Sequence, residues 1–298
     1  MKSTFFTASI VIAVASASGA LAFPLVKRAA DPVTTVLQFA LTLEHLENAF
    51  YSQALGKFDA AAFAKAGFPE FVRGRFEQIA EHEATHVSTL QGALGSAAPA
   101  PCTYSFPYND PNSFASLAMT LEGVGSSAYL GSAGNLVSSP AVLQVAGAIL
   151  PIEARHNGWI TSSVLHQQPW NGAFETPLGP NQVFTLASGF ITSCPASNPT
   201  LPFKAFPSLV FEGSPAPGQK STVDFNATST GESLFVAFLS GLNSTFVPLD
   251  GKTVTVPKGL QGTVYAVVTN NGSASSDANT VAGPAILQFP FSSQVSNS

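Results

Sequence analysis

Apolar residues recur every three to four positions through four long stretches of the first two-thirds of the chain. After about residue 203 the pattern changes to alternation broken by Gly, Asn and Pro. The first pattern predicts amphipathic helices and the second strands. The first helix spans roughly 32–55, with Asp31 as N-cap and Pro32 in the first turn. The second covers 69–94 and stops at Gly95. A third starts after Asn109-Asp110-Pro111 and continues to about 137. A fourth begins at Ser139-Pro140 and reaches about 166, with Pro169 beyond. A short fifth helix is predicted near 182–191. The third and fourth are joined by a few residues around Ser138, which makes them antiparallel neighbours. The segment 95–109 between the second and third is long enough for a crossover connection. Strands are predicted at 221–225, 233–239, 253–256, 263–269 and 285–289, where Val264, Ala266 and Val268 alternate with Tyr265 and Val267. Four prolines between 194 and 207 mark the boundary. The chain reads as α+β in two domains, a four-helix bundle over 29–195 followed by a small β-sandwich over 203–298.

Acids are scarce enough for their positions to inform. Between Asp110 and Glu175 the only acidic residues are Glu122 and Glu153, both in apolar surroundings. Helical spacing puts Ala115, Ala118, Glu122 and Tyr129 on one face, and Ile149, Glu153, His156 and Ile160 on another, the faces that should turn to the core. Two Glu-x-x-His pairs, Glu83/His86 and Glu153/His156, each follow a helix with its own glutamate, Glu44 and Glu122. One Glu from each of two helices plus Glu-x-x-His from each of the other two is the donor set of a di-iron or di-manganese carboxylate centre. A metal pair would compensate carboxylates that a bundle interior otherwise disfavours. An internal echo reinforces the pairing: Leu-Thr-Leu-Glu ending at Glu44 precedes Tyr51 by seven residues, and Met-Thr-Leu-Glu ending at Glu122 precedes Tyr129 by seven. Glu47, one turn from Glu44, reads equally as a ligand, a supporting carboxylate or a solvated one. His45, Glu77, Glu81 and His82 are expected on flanks or the exposed face. His166, near the end of the fourth helix, is expected to favour the helix dipole. Glu212, Asp224, Asp250 and Asp277 read as surface.

The chain ends set the compartment. Lys2, the apolar run 5–14 and small residues to Ala22 predict a signal peptide over 1–22. A short propeptide, 23–28, would end at the dibasic Lys27-Arg28. The run is too short to span a bilayer, and the tail lacks the order of a lipid-anchor signal. Export would suit one Cys102–Cys194 disulfide and glycosylation at the sequons beginning at Asn226, Asn243 and Asn271. With twelve Lys plus Arg against seventeen Asp plus Glu, the chain has no basic surface for nucleic acid.

On the two Glu-x-x-His pairs and their matched glutamates, helices one to four resemble the ferritin-like superfamily, in particular secreted fungal ferritin-like domain proteins. The resemblance covers roughly 31–166. It implies Glu44 and Glu122 as terminal carboxylates, Glu83 and Glu153 as bridging ones, and His86 and His156 as nitrogen ligands to two Fe or Mn ions. It also implies Tyr51 and Tyr129 beside the metals, where the sequence alone leaves them as ordinary core aromatics. The implied partners are metal ions with dioxygen or peroxide, and the implied chemistry is ferroxidase, oxidase or peroxide handling. The alternative is a stress-associated or developmental surface protein with a structural or vestigial metal site, its β domain binding wall polymer or a protein.

Overall fold

The computed structural model describes residues 31–226 and 233–296, so the signal and dibasic readings lie outside the described residues. Helix α1 (Pro32–Lys57) packs along α3 (Glu70–Leu94), and α4 (Pro111–Ser132) along α5 (Pro140–Trp159). Each start has a local cause. The Asp31 carboxylate accepts from Val33 N, and Asp110 forms a reciprocal capping box with Ser113. Gly95, at φ 54°, ends α3 in a conformation other residues disfavour.

Two helix ends differ from expectation. The third helix tightens into a 3-10 turn over Ala133–Leu136. The fourth widens into a π turn over Ile160–Val164, where Leu165 N donates to Ile160 O. The Thr161 and Ser162 hydroxyls bond back to Asn157 O and Gly158 O, which loosens the regular ladder. His166 follows at φ 54°, exposed, where the left-handed backbone ends the helix. A six-residue helix, α2 (Ala60–Lys65), was not expected; Asp59 caps it through Ala62 N. The fifth predicted helix is α6 (Pro180–Ser188), shorter than 182–191 because Ile191 enters a strand.

The crossover is tethered. Strands β1 (Thr103–Tyr104) and β2 (Ile191–Ser193) pair beside the Cys102–Cys194 disulfide. Closing a loop of 92 residues limits the unfolded chain and contributes about 4–5 kcal/mol.

The C-terminal part is a sandwich. Strands β3 (Leu209–Phe211), β4 (Lys220–Phe225) and β7 (Thr253–Thr255) form one antiparallel sheet in the order β3-β4-β7. Strands β5 (Phe235–Ser240), β6 (Asn243–Pro248), β8 (Gly262–Thr269) and β9 (Thr280–Phe289) form the other, ordered β6-β5-β8-β9. Val223 and Val254 meet Val236, Phe238, Val264 and Val268 between the sheets. The opposite face of β5 and β8 presents Ala237, Leu239, Tyr265 and Val267 to Phe39, Val124 and Ala128 of the bundle. The Tyr265 hydroxyl lies 3.1 Å from Ser127 Oγ and donates to Gly123 O at 3.3 Å. The sandwich therefore backs α4 next to the turn that carries Glu122.

Candidate metal centre

The six residues singled out by spacing converge. Glu44, Glu83, Glu122 and Glu153 are at most 1 % exposed, and His86 and His156 are buried with them. Their donor atoms form two overlapping groups, each spanning no more than 4.8 Å: Glu44, Glu83, His86, Glu153 and Glu83, Glu122, Glu153, His156. Glu83 and Glu153 belong to both. The Glu83 oxygens divide between the imidazoles, Oε2 at 3.0 Å from His86 Nδ1 and Oε1 at 3.3 Å from His156 Nδ1. Glu44 Oε2 stands 3.3 Å from His86 Nδ1, and Glu122 Oε2 3.1 Å from His156 Nδ1.

The internal echo has a spatial counterpart. Tyr51 of α1 donates to Glu122 Oε1 on α4, and Tyr129 of α4 donates to Glu44 Oε1 on α1. Each tyrosine thus serves the carboxylate of the other half. Burial, with the adjacent carboxylates, holds both phenols well above their ordinary pKa, so they keep the proton they donate. Each terminal glutamate then has Oε1 fixed and Oε2 turned to the centre. Beyond Tyr51 lies an aromatic plug of Phe50, Phe76 and Phe114. Beyond Tyr129 lies an aliphatic cluster of Val33, Val36, Val142 and Leu136, part of which lines a cavity of about 40 Å³ that reaches Glu47 and Gly125.

Burial raises the Glu83 and Glu153 carboxyls well above the usual range, and Glu122 to about 8. Burial draws His86 down, but contacts with Glu153, Glu44 and Glu83 outweigh it and push its pKa up to about 12. Even so, Glu44 Oε2, Glu83 Oε1 and both Glu153 oxygens are buried and make no hydrogen bond, although an imidazole Nδ1 stands 3.3–3.4 Å from all but Glu153 Oε2. Unpartnered carboxylate oxygens are costly in so dry a place. Oxygen and imidazole donors in two sets sharing two carboxylates could hold metal ions.

Other residues fall differently. Glu47 is buried, which raises its carboxyl well above the usual range, yet it lies outside both donor groups. It faces Gly125, where a Cβ would sit 2.6 Å from Glu153 Oε2 and 3.0 Å from Glu47 Oε1. His45 is not on a flank: it is buried, with Nε2 3.2 Å from Pro99 O. The helical pattern missed this because the crossover covers a second face of α1, as Gln38 Nε2 donating to Ala97 O also shows. Glu77 and Glu81 are exposed, Glu77 paired with Arg73. Exposed His82 places Nδ1 2.9 Å from His156 Nε2, with the rings stacked. Its spacing of four from His86 was the available signal, but the contact crosses to another helix. Glu212, Asp224, Asp250 and Asp277 are exposed as expected.

The ferritin-like domain family matches residues 33–166. Those residues form a ferritin-like domain. The match ends at His166, before α6 and the sandwich. The chain is also similar to protein rds1 of Schizosaccharomyces pombe, 29 % identical over 222 residues, which are 73 % of this chain and 54 % of that protein. The chain thus spans about half the length of the curated relative it matches. That likeness extends past the ferritin-like domain, since 222 residues exceed its span.

Proposed function

We propose that the protein is a secreted di-metal carboxylate protein acting on dioxygen or peroxide through two iron or manganese ions, both of which suit carboxylate and imidazole donors. The observation that carries this reading is the pair of donor groups sharing Glu83 and Glu153. Glu83 and Glu153 would serve both ions, and Glu44 with His86, and Glu122 with His156, would hold one each. Bound ions would supply Lewis-acid and one-electron chemistry, giving ferroxidase, oxidase or peroxide-handling activity. Tyr51 and Tyr129 hold the terminal carboxylates so that one oxygen of each remains for a cation. The aromatic plug beside Tyr51 excludes water from that end, which strengthens the charge interactions inside. The disulfide supports export, and among the described residues no helix is long and apolar enough to cross a membrane. Metal analysis of purified protein after reconstitution with ferrous or manganous salt should give two ions per chain, followed by oxygen or peroxide consumption. A metal content near zero would end this reading.

His82 supports the same centre. A histidine bound through Nδ1 carries its proton on Nε2, and His82 Nδ1 stands 2.9 Å away to accept it. Burial and the nearby His156 and His86 lower the His82 pKa, consistent with a neutral acceptor. His82→Ala should weaken metal affinity about 10–100-fold, read by competition with a chelator. His82→Asn, which restores an acceptor, should recover part of it.

A further inference from the structure

We infer that Asn243 is an N-glycosylation site whose first sugar lies in the cleft between the β5–β6 turn and the segment 171–174. The inference rests on the export reading, and three observations meet at this residue.

The first is accessibility. Residues Ser240 and Asn243 pair across a two-residue turn, Gly241-Leu242, with Gly241 at φ 56°. Asn243, Ser244 and Thr245, the whole acceptor triplet, are exposed. Asn271, by contrast, is half-buried, and its side-chain oxygen accepts from both Ser273 N and Ser273 Oγ. The triplet beginning at Asn226 runs into residues outside the described ones.

The second is a prepared bed. Asn243 and Thr245 line a cleft of about 350 Å³ together with Phe174, Leu242, Ser240 and Lys258. Phe174 and Leu242 are 62 % and 64 % exposed, although both are large and apolar. Phe174 abuts the turn residue before Leu242: a Cβ on Gly241 would lie 3.5 Å from Phe174 Cβ, and Gly241 N donates to Thr176 Oγ1 at 2.8 Å. A pyranose has an apolar C–H face and a hydroxyl rim. Phe174 and Leu242 suit the face; Ser240, Thr245 and Lys258 suit the rim.

The third is the sheet edge. Strand β6 is the outer strand of its sheet, six residues long, leaving one side of its backbone unpaired within the sheet. Exposed edges invite pairing with another chain unless something blocks them. A glycan rooted at the first residue of β6 does so.

In the attachment, Asn243 Nδ2 attacks C1 of a lipid-diphosphate-linked oligosaccharide, the secretory pathway's donor. A C–N bond forms, the C1–O bond to the diphosphate breaks, and the amide proton leaves with the lipid diphosphate through a base of the transferase. No electrons are exchanged.

A heterologous secretory leader placed before the full chain in a yeast host makes export independent of the chain's own N-terminus. Failure of the native leader is thereby separated from failure at Asn243. Glycopeptide mass spectrometry should find Asn243 occupied, and Asn243→Gln and Thr245→Ala should each lose one glycan. Enzymatic removal of the glycan should speed amide exchange several-fold in 170–176 and 241–246, with no change in α3. Export with Asn243 unmodified would overturn the assignment. Occupancy without any change in exchange would overturn the docking.

Discussion

Glu83→Ala should empty both cation positions, not one. Glu83 lies in each donor group and places one oxygen near each imidazole. Its removal takes a donor from both ions and leaves them facing each other with one shared carboxylate fewer. A loss of affinity of about 100-fold or more follows from removing a direct ligand where even a supporting group is worth 10–100-fold. Glu44→Ala touches only the His86 end and should leave about one ion per chain, and Glu122→Ala likewise spares the other end. Glu77→Ala, on an exposed side chain paired with Arg73, should retain two. Inductively coupled plasma analysis of the reconstituted variants reads these values directly. If Glu83→Ala and Glu77→Ala hold the same metal, the shared-carboxylate assignment is wrong. The same substitution site gives a second reading of opposite sign. Without metal, Glu83→Gln removes an ionisable group from a cluster of like charges and should unfold at a higher temperature than the metal-free parent. With metal present the order should reverse.

The bundle and its six converging donors were readable because helical spacing and a scarcity of acids act on the same residues. Glu122 and Glu153 stand alone in long apolar stretches, so their faces could be assigned without knowing any partner. What spacing cannot give is contact between helices. The echo pointed to Tyr51 and Tyr129, yet not to their exchange, in which each hydroxyl reaches the carboxylate of the opposite half. His45 failed for the same reason, being covered by the crossover; His82 is exposed as expected, but spacing could not show that it borrows a neighbour from α5. In the sandwich, β4, β5, β7, β8 and the second half of β9 followed the alternation. Strand β6 did not, because Asn243-Ser244-Thr245 lies on an exposed edge with nothing apolar to mark it, and β3 is only three residues long. One signal was present but unread. Both faces of β8 are apolar from Val264 to Val268, and a strand apolar on both sides must be covered on both. The second cover is the bundle itself, through Tyr265 and Val267.

Metal-free protein should be most stable in mild acid and lose stability as pH rises from about 5 to 8. Glu47, Glu83 and Glu153 have carboxyls held well above their unfolded value by burial, and Glu122 reaches about 8. Between the unfolded value near 4.5 and these folded values, the native state holds more protons than the unfolded one. Stability must then fall with rising pH. His86 acts in the same direction: with its folded pKa at about 12, its contribution is complete below the unfolded value of 6.5 and declines above it. One pKa unit on one group corresponds to about 1.4 kcal/mol, so the cluster as a whole should give about 3 kcal/mol or more over this range, roughly 6–12 °C in melting temperature. Cation binding inverts the slope, since the ligands must shed these protons before they can coordinate. The melting-temperature gain on adding manganous or ferrous ion under anaerobic conditions should therefore grow from pH 5 to pH 8. Thermal scans of metal-free and reconstituted protein across that range test both slopes. A metal-free protein that gains stability toward pH 8 would mean that its carboxylates are already balanced by protein charges. The reason for placing two cations among them would then be gone.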